Sequence, residues 1–152
     1  MKNNLGVIIP KNLDECFDQM KLGSSNKDLC EFAAQKEDPV TASLHFTYGM
    51  AMRNNWGLWG KNKLTKYFNS IGIYHADDMS GILLTSFHRH LNNKDIKLDE
   101  QVKWYQDYWK SIGFKDGNPT NDSKSNYKEP KGIQNINLGK YNIQIEKFTI
   151  KD

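Results

Sequence analysis

A chain of 152 residues, 38% hydrophobic and 12% aromatic, has the size and make-up of one globular unit whose core leans on large rings. Its net charge of +3 arises from 21 basic against 18 acidic residues without a long basic run, which argues against a clustered nucleic-acid-binding face and makes the lysine excess solubility charge. No stretch approaches the ~20 apolar residues of a membrane helix, and Val7-Ile8-Ile9 is too short for a signal-peptide core, so a cytoplasmic protein is expected, with no membrane partner.

In a reducing compartment Cys16 and Cys30 are expected to be reduced and buried, a disulfide arising only if two adjacent helices bring them together. Asn12-Leu13-Asp14-Glu15 reads as a capping box, followed at helical spacing by Leu13, Cys16, Phe17 and Met20 and ended by Gly23. Ser25 or Asn26 caps a second helix carrying Leu29, Phe32 and Ala33. Asp38-Pro39 opens a third, an acceptor at the cap and then a proline where no N–H is needed; Leu44, Tyr48, Ala51 and Met52 form its apolar face.

Gly57 and Gly60 around two tryptophans predict a turn. Asn62 caps a fourth helix through Leu64, Tyr67, Phe68 and Ile71, stopped by Gly72. Asp77-Asp78 opens a fifth, through Met79, Ile82, Leu83, Phe87, His90 and Leu91. Asp99 caps a sixth, where Val102, Tyr105, Tyr108, Trp109 and Ile112 align before Gly113. The expectation is a mainly α, compact bundle of about six helices over residues 10–114. A polar linker spans 115–132, and a C-terminal extension at 133–152 alternates in polarity around Leu138-Gly139-Lys140-Tyr141 as a β-hairpin would.

Costly residues concentrate between His45 and Leu91: all four histidines, both arginines and two of the four tryptophans. His75, Asp77 and Asp78 could start a metal site, but acidic residues in a first helical turn serve equally as caps. His88-Arg89-His90 point about 100° apart in succession and cannot converge on one ion. Asp77 and His88 share a face but lie about 16 Å apart along a straight helix. No metal and no cofactor are therefore expected, and His90, in line with Met79, reads as a core histidine. A Gly-x-Ser-x-Gly elbow and a Walker loop are absent, and Trp104 to Trp109 reads as core and rim.

Arg53-Asn54-Asn55-Trp56-Gly57-Leu58-Trp59 combines a planar cation, amides and indoles, the residue types of interface anchors. Arg53 is expected to pair with Asp77 or Asp78 across the core; Trp56 and Trp59 either both plug the bundle or, if Trp59 anchors a partner, Trp59 stays partly exposed and Trp56 is the buried plug. Arg53, Asn54, Asn55, Trp56 and Trp59 are thus the candidate binding residues, with another protein as partner. Two alternatives stand: a hydrolase using His45 or His75 with Asp77 or Asp78 as acid and base, and nucleic-acid binding through Lys61, Lys63, Lys66 and Arg89.

The blocks His45-Phe46, Gly49-Met50, Arg53-Asn54-Asn55-Trp56-Gly57-Leu58-Trp59, Lys66-Tyr67-Phe68, Gly72-Ile73, Asp77-Asp78-Met79-Ser80 and His88-Arg89-His90-Leu91 resemble an uncharacterised family of small bacterial domains of unknown function. The resemblance runs from about Pro10 to Trp109, with Ala76 where the pattern has proline. It implies bacterial origin and a shared helical core, and no mechanism. The reading from sequence is a small binding domain, an immunity or regulatory module, rather than an enzyme.

Overall fold

The computed structural model describes residues 1–3 and 6–120. Among these, seven helices pack around one core: α1 (Leu13–Leu22), α2 (Asn26–Ala34), α3 (Glu37–Leu44), α4 (Tyr48–Asn55), α5 (Lys63–Ser70), α6 (Ala76–Leu91) and α7 (Leu98–Ser111). No strand is present among the described residues beyond an isolated antiparallel bridge between Lys2 and Ile8. The C-terminal hairpin expected at 133–152, and the expected linker from residue 121 onward, lie outside the described residues.

Local chemistry starts most helices where the sequence indicates. Asn12 caps α1 by accepting the Glu15 N–H at 3.0 Å, while the Glu15 carboxylate reaches back to the Lys11 N–H at 2.9 Å. Ser25, not Asn26, caps α2. Asn62 and Thr65 form a reciprocal capping box at α5. Gly72 ends that unit at φ +86°, and the side chain of Gln106 fills the space a Cβ there would need.

Five expectations are corrected. The predicted third helix is two, interrupted at residues 45–47, which is why there are seven helices and not six. The break leaves the His45 carbonyl outside helical bonding, and that carbonyl accepts from the Arg53 guanidinium at 3.1 Å. Asp38 sits inside the first turn of α3, with Lys36 at the cap position. His75 rather than Asp77 or Asp78 caps α6, and α7 starts at Leu98 behind a left-handed Lys97 (φ 51°) rather than behind Asp99. Of the two free cysteines only Cys16 is buried; Cys30 is exposed, because α2 contributes just one partly covered stripe. Burial pushes the Cys16 thiol far above its ordinary range, so it is inert.

α6 is the axis of the bundle and touches α1, α2, α3, α4 and α7. Being enclosed, it is buried on several faces at once, through Ala76, Met79, Ile82, Leu83, Leu84 and Phe87 and also through Asp78, Ser80, Ser86 and His88. Each fully buried Leu, Ile, Met or Phe contributes roughly 1.5–3 kcal/mol. Gly81 lets α7 approach, since a Cβ there would collide with the Tyr105 hydroxyl. Past α7 the chain stays packed for a few residues: Phe114 is buried against Trp109, with ring centroids 5.4 Å apart.

Candidate functional site

The α3–α4 break, the turn after α4 and the first turn of α6 meet around one guanidinium. Arg53, on the buried face of α4, has 5% of its surface exposed. Its Nε lies 3.1 Å from Asp77 Oδ1, its Nη1 donates to Ser80 Oγ at 2.8 Å, and its Nη2 donates to the His45 carbonyl. Burial pulls the guanidinium pKa down and Asp77 opposes that, but the starting range is so high that the group stays charged. Gly49 makes room for it, as a Cβ there would stand 3.1 Å from Nη1. The expected bridge from Arg53 to the Asp77-Asp78 block is therefore present, and Asp77 is the partner.

Asp77 is half-exposed and carries an imidazole on each side. His45 Nε2 lies 3.8 Å from Oδ1 and His75 Nδ1 lies 3.9 Å from Oδ2. His75 Nδ1 also accepts the Asp77 N–H at 3.2 Å, which makes His75 the cap of α6. Burial, reinforced by Arg53 and partly offset by Asp77, lowers the pKa of His45.

Asp78 points the other way, into the body. Its Oδ2 accepts from the Trp109 indole N–H at 2.6 Å. Loss of solvation pushes its carboxyl up to about 6; the indole bond and His75 act against this, and neighbouring Asp77 adds to it. Trp109 joins the two halves of the cluster, since its ring also lies 5.5 Å from that of His75.

The turn at 53–59 divides its side chains sharply. Trp56 is 3% exposed, Trp59 61%. The backbone between them is held by Leu58 N–H on the Arg53 carbonyl (2.9 Å) and by Asn62 Nδ2 on the carbonyls of Trp56 and Gly57 (both 3.0 Å). Trp59 stands edge-on to His75 with centroids 5.6 Å apart. Asn54 is exposed, while Asn55 offers only its carbonyl, to Asn3 Nδ2 at 2.7 Å. Exposed Phe46 packs edge-on against His45 at 4.8 Å.

The remaining histidines lie elsewhere and correct one expectation. His88, not His90, is the buried core histidine: its Nε2 donates to the Gln35 carbonyl at 2.9 Å, and its Nδ1, without a hydrogen bond among the described residues, lies 3.8 Å from Glu37 Oε2. His90 lies at the edge, stacked on Phe17 and in contact with Lys21. The reason is that the α2–α3 connection, through the Gln35 carbonyl, covers the face of α6 that carries His88. Arg89 makes a two-pronged pair with Glu37 (2.9 and 2.8 Å) and donates to the Ile96 carbonyl, so it is engaged in the fold rather than grouped with Lys61, Lys63 and Lys66.

Two contributors escaped the sequence reading. Ser80 has a buried hydroxyl that accepts from Arg53 and donates to the Asp77 carbonyl, a relay rather than a nucleophile. Trp109, from a distant helix, holds Asp78. Nothing in the spacing of either signals this. Among the described residues no group of three or more His, Cys, Asp or Glu side chains is arranged to hold a metal ion, and no helix is long and apolar enough to cross a membrane.

Comparison with known proteins places these observations in a family. The family described as Domain of unknown function (DUF6794) matches residues 9–91, more than half of the chain, and the chain belongs to it. The match takes in His45, Arg53, Trp59, His75, Asp77 and Asp78 and stops at the end of α6, before Trp109. No curated protein and no solved structure matches the chain.

Proposed function

We propose that this chain is a protein-binding domain of the immunity or regulatory kind, working in the cytoplasm, whose docking surface is the 53–59 turn with the adjoining first turn of α6. The observation that carries the reading is Trp59: an indole 61% exposed on a backbone held by Asn62, Arg53 and the buried Leu58. A large ring offered to water on a loop already ordered loses little further entropy on association, which is what an anchor residue needs. Exposed Phe46, packed on His45, adds apolar surface, and the half-exposed Asp77 adds a directional acceptor. The exposed free thiol of Cys30 suits a reducing compartment.

The test is a photo-crosslinking side chain at position 59, with one at Glu31, an exposed position on α2, as control. A discrete adduct only from position 59, followed by roughly 30-fold weaker binding of the purified partner to Trp59→Ala at unchanged melting temperature, supports the reading. Equal labelling from both positions, or unaltered affinity of Trp59→Ala, overturns it.

One arrangement favours a second reading, acid–base hydrolysis: the half-exposed imidazoles of His45 and His75 on either side of Asp77. Turnover of ester or phosphoester substrates that is lost in His45→Gln and Asp77→Asn but kept in Trp59→Ala would select it over binding.

A further inference from the structure

Three charged groups meet at the start of α6, and they face solvent unequally. The Arg53 guanidinium is enclosed, so its positive charge stays inside the fold, whereas the Asp77 carboxylate is 41% exposed. The two oxygens of Asp77 differ as well. Oδ1 is taken up by Arg53 Nε at 3.1 Å, with His45 Nε2 at 3.8 Å. Oδ2 has His75 Nδ1 at 3.9 Å, beyond hydrogen-bond reach, and so keeps its lone pairs for a donor from outside. Asp78, its carboxyl pushed up to about 6 by loss of solvation, is ionised at neutral pH and adds a second negative charge beside the first. Burial holds His45 toward its neutral form, so it does not cancel them.

Aromatic rings border the free oxygen. His75 stands between Asp77 and the exposed indole of Trp59, its ring perpendicular to that indole with centroids 5.6 Å apart. On the other side exposed Phe46 stands edge-on to His45. An exposed indole face attracts a cation, and a carboxylate one ring away supplies its counter-ion. An anion would meet the exposed carboxylate instead, and an apolar side chain would cover Oδ2 without pairing it. We propose that this face takes a basic side chain of the partner, arginine above all, laid on the Trp59 indole with a guanidinium N–H donating to Asp77 Oδ2. The proposal rests on the reading of the 53–59 turn as a docking surface and adds the chemistry of the partner, a protein segment that leads with positive charge.

The probe is N-acetyl-arginine amide, titrated into the full chain beside N-acetyl-citrulline amide, which keeps the shape and lacks the charge. Nuclear magnetic resonance follows the Trp59 indole N–H, identified by its loss in Trp59→Leu, and the Asp77 backbone N–H. The arginine derivative should move both signals along one saturating curve and bind about 10-fold more tightly than the citrulline derivative. That difference should vanish in Asp77→Asn. In Trp59→Leu, at unchanged melting temperature, the response of the Asp77 N–H should need several-fold more ligand. Equal affinity for the two ligands, an Asp77 response indifferent to Trp59→Leu, or a Trp59 signal moved by inorganic phosphate in preference to the arginine derivative overturns the proposal. A partner crosslinked at position 59 that binds Asp77→Asn and the parent equally leaves the docking reading standing and overturns this one. Arginine selectivity at Trp59 with no crosslinked partner supports the cation site and counts against the docking reading.

Discussion

Replacing Arg53 by alanine tests the central claim about the cluster, that one buried guanidinium joins α4, the α3–α4 break and α6. Its three contacts are unequal. Asp77 is 41% exposed and regains water when the cation is removed, so that pair contributes at most about 1 kcal/mol. Ser80 keeps its bond to the Asp77 carbonyl and loses only a donor, about 1 kcal/mol. The His45 carbonyl, freed from helical bonding by the break, is left without its guanidinium donor at a cost of roughly 1–3 kcal/mol. The sum is about 2–5 kcal/mol, and it reaches below the ~3–5 kcal/mol for breaking a fully buried pair because one of the two ions is not fully buried. Urea unfolding followed by circular dichroism measures it, with an unchanged denaturant slope required for the comparison. Arg53→Lys should lose nearly as much, since an ammonium cannot reach three acceptors in fork geometry. A loss below ~1 kcal/mol for Arg53→Ala, or no energetic coupling between Arg53→Ala and Ser80→Ala in a double-mutant cycle, would refute the reasoning.

The tryptophans of the turn should behave oppositely: Trp56→Ala should cost ~3–5 kcal/mol as a buried plug, and Trp59→Ala should stay within ~0.5 kcal/mol of the parent, both read by thermal melting. Asp78 predicts a pH dependence. Its folded-state pKa is raised to about 6 from an ordinary 3.8, so the folded form holds the proton more tightly, and stability present at low pH is lost as pH rises through about 6. Asp78→Asn keeps an acceptor for the Trp109 indole and removes the titration, so its advantage over the parent should grow by up to about 3 kcal/mol between pH 4 and 7, and parallel pH–stability curves would count against the buried-carboxylate assignment. Gly81→Ala should cost about 1–3 kcal/mol by driving a methyl into the Tyr105 hydroxyl and lifting α7 from α6; a neutral change in melting temperature would contradict that packing.

Short-range chemistry is legible in the chain itself. The caps at Asn12, Ser25 and Asn62 act within three residues of themselves, so they mark helix starts whatever the rest of the chain does. The α class followed from the 3.6-residue spacing of apolar positions, and the pairing of Arg53 with the Asp77-Asp78 block followed from how costly an unpaired buried arginine would be. Whether Trp56 and Trp59 share an environment is open in the sequence, since side chains three residues apart in a turn can do either, and packing decides that Trp56 is buried and Trp59 exposed.

What only the tertiary structure decided depends on elements far apart in sequence. The third predicted helix breaks at residues 45–47 where the guanidinium takes up the His45 carbonyl, and no local propensity there announces the break. His88 rather than His90 is buried because the α2–α3 connection closes over that face of α6, so the helix is enclosed on more sides than a single apolar stripe implies. Asp78 lost its solvent to α7, and Trp109 supplied the indole N–H that holds it, across 31 residues of chain. Periodicity tells which residues of a helix prefer to leave water. Which neighbour arrives to cover the rest, and which polar groups it encloses with them, is settled only when the helices pack.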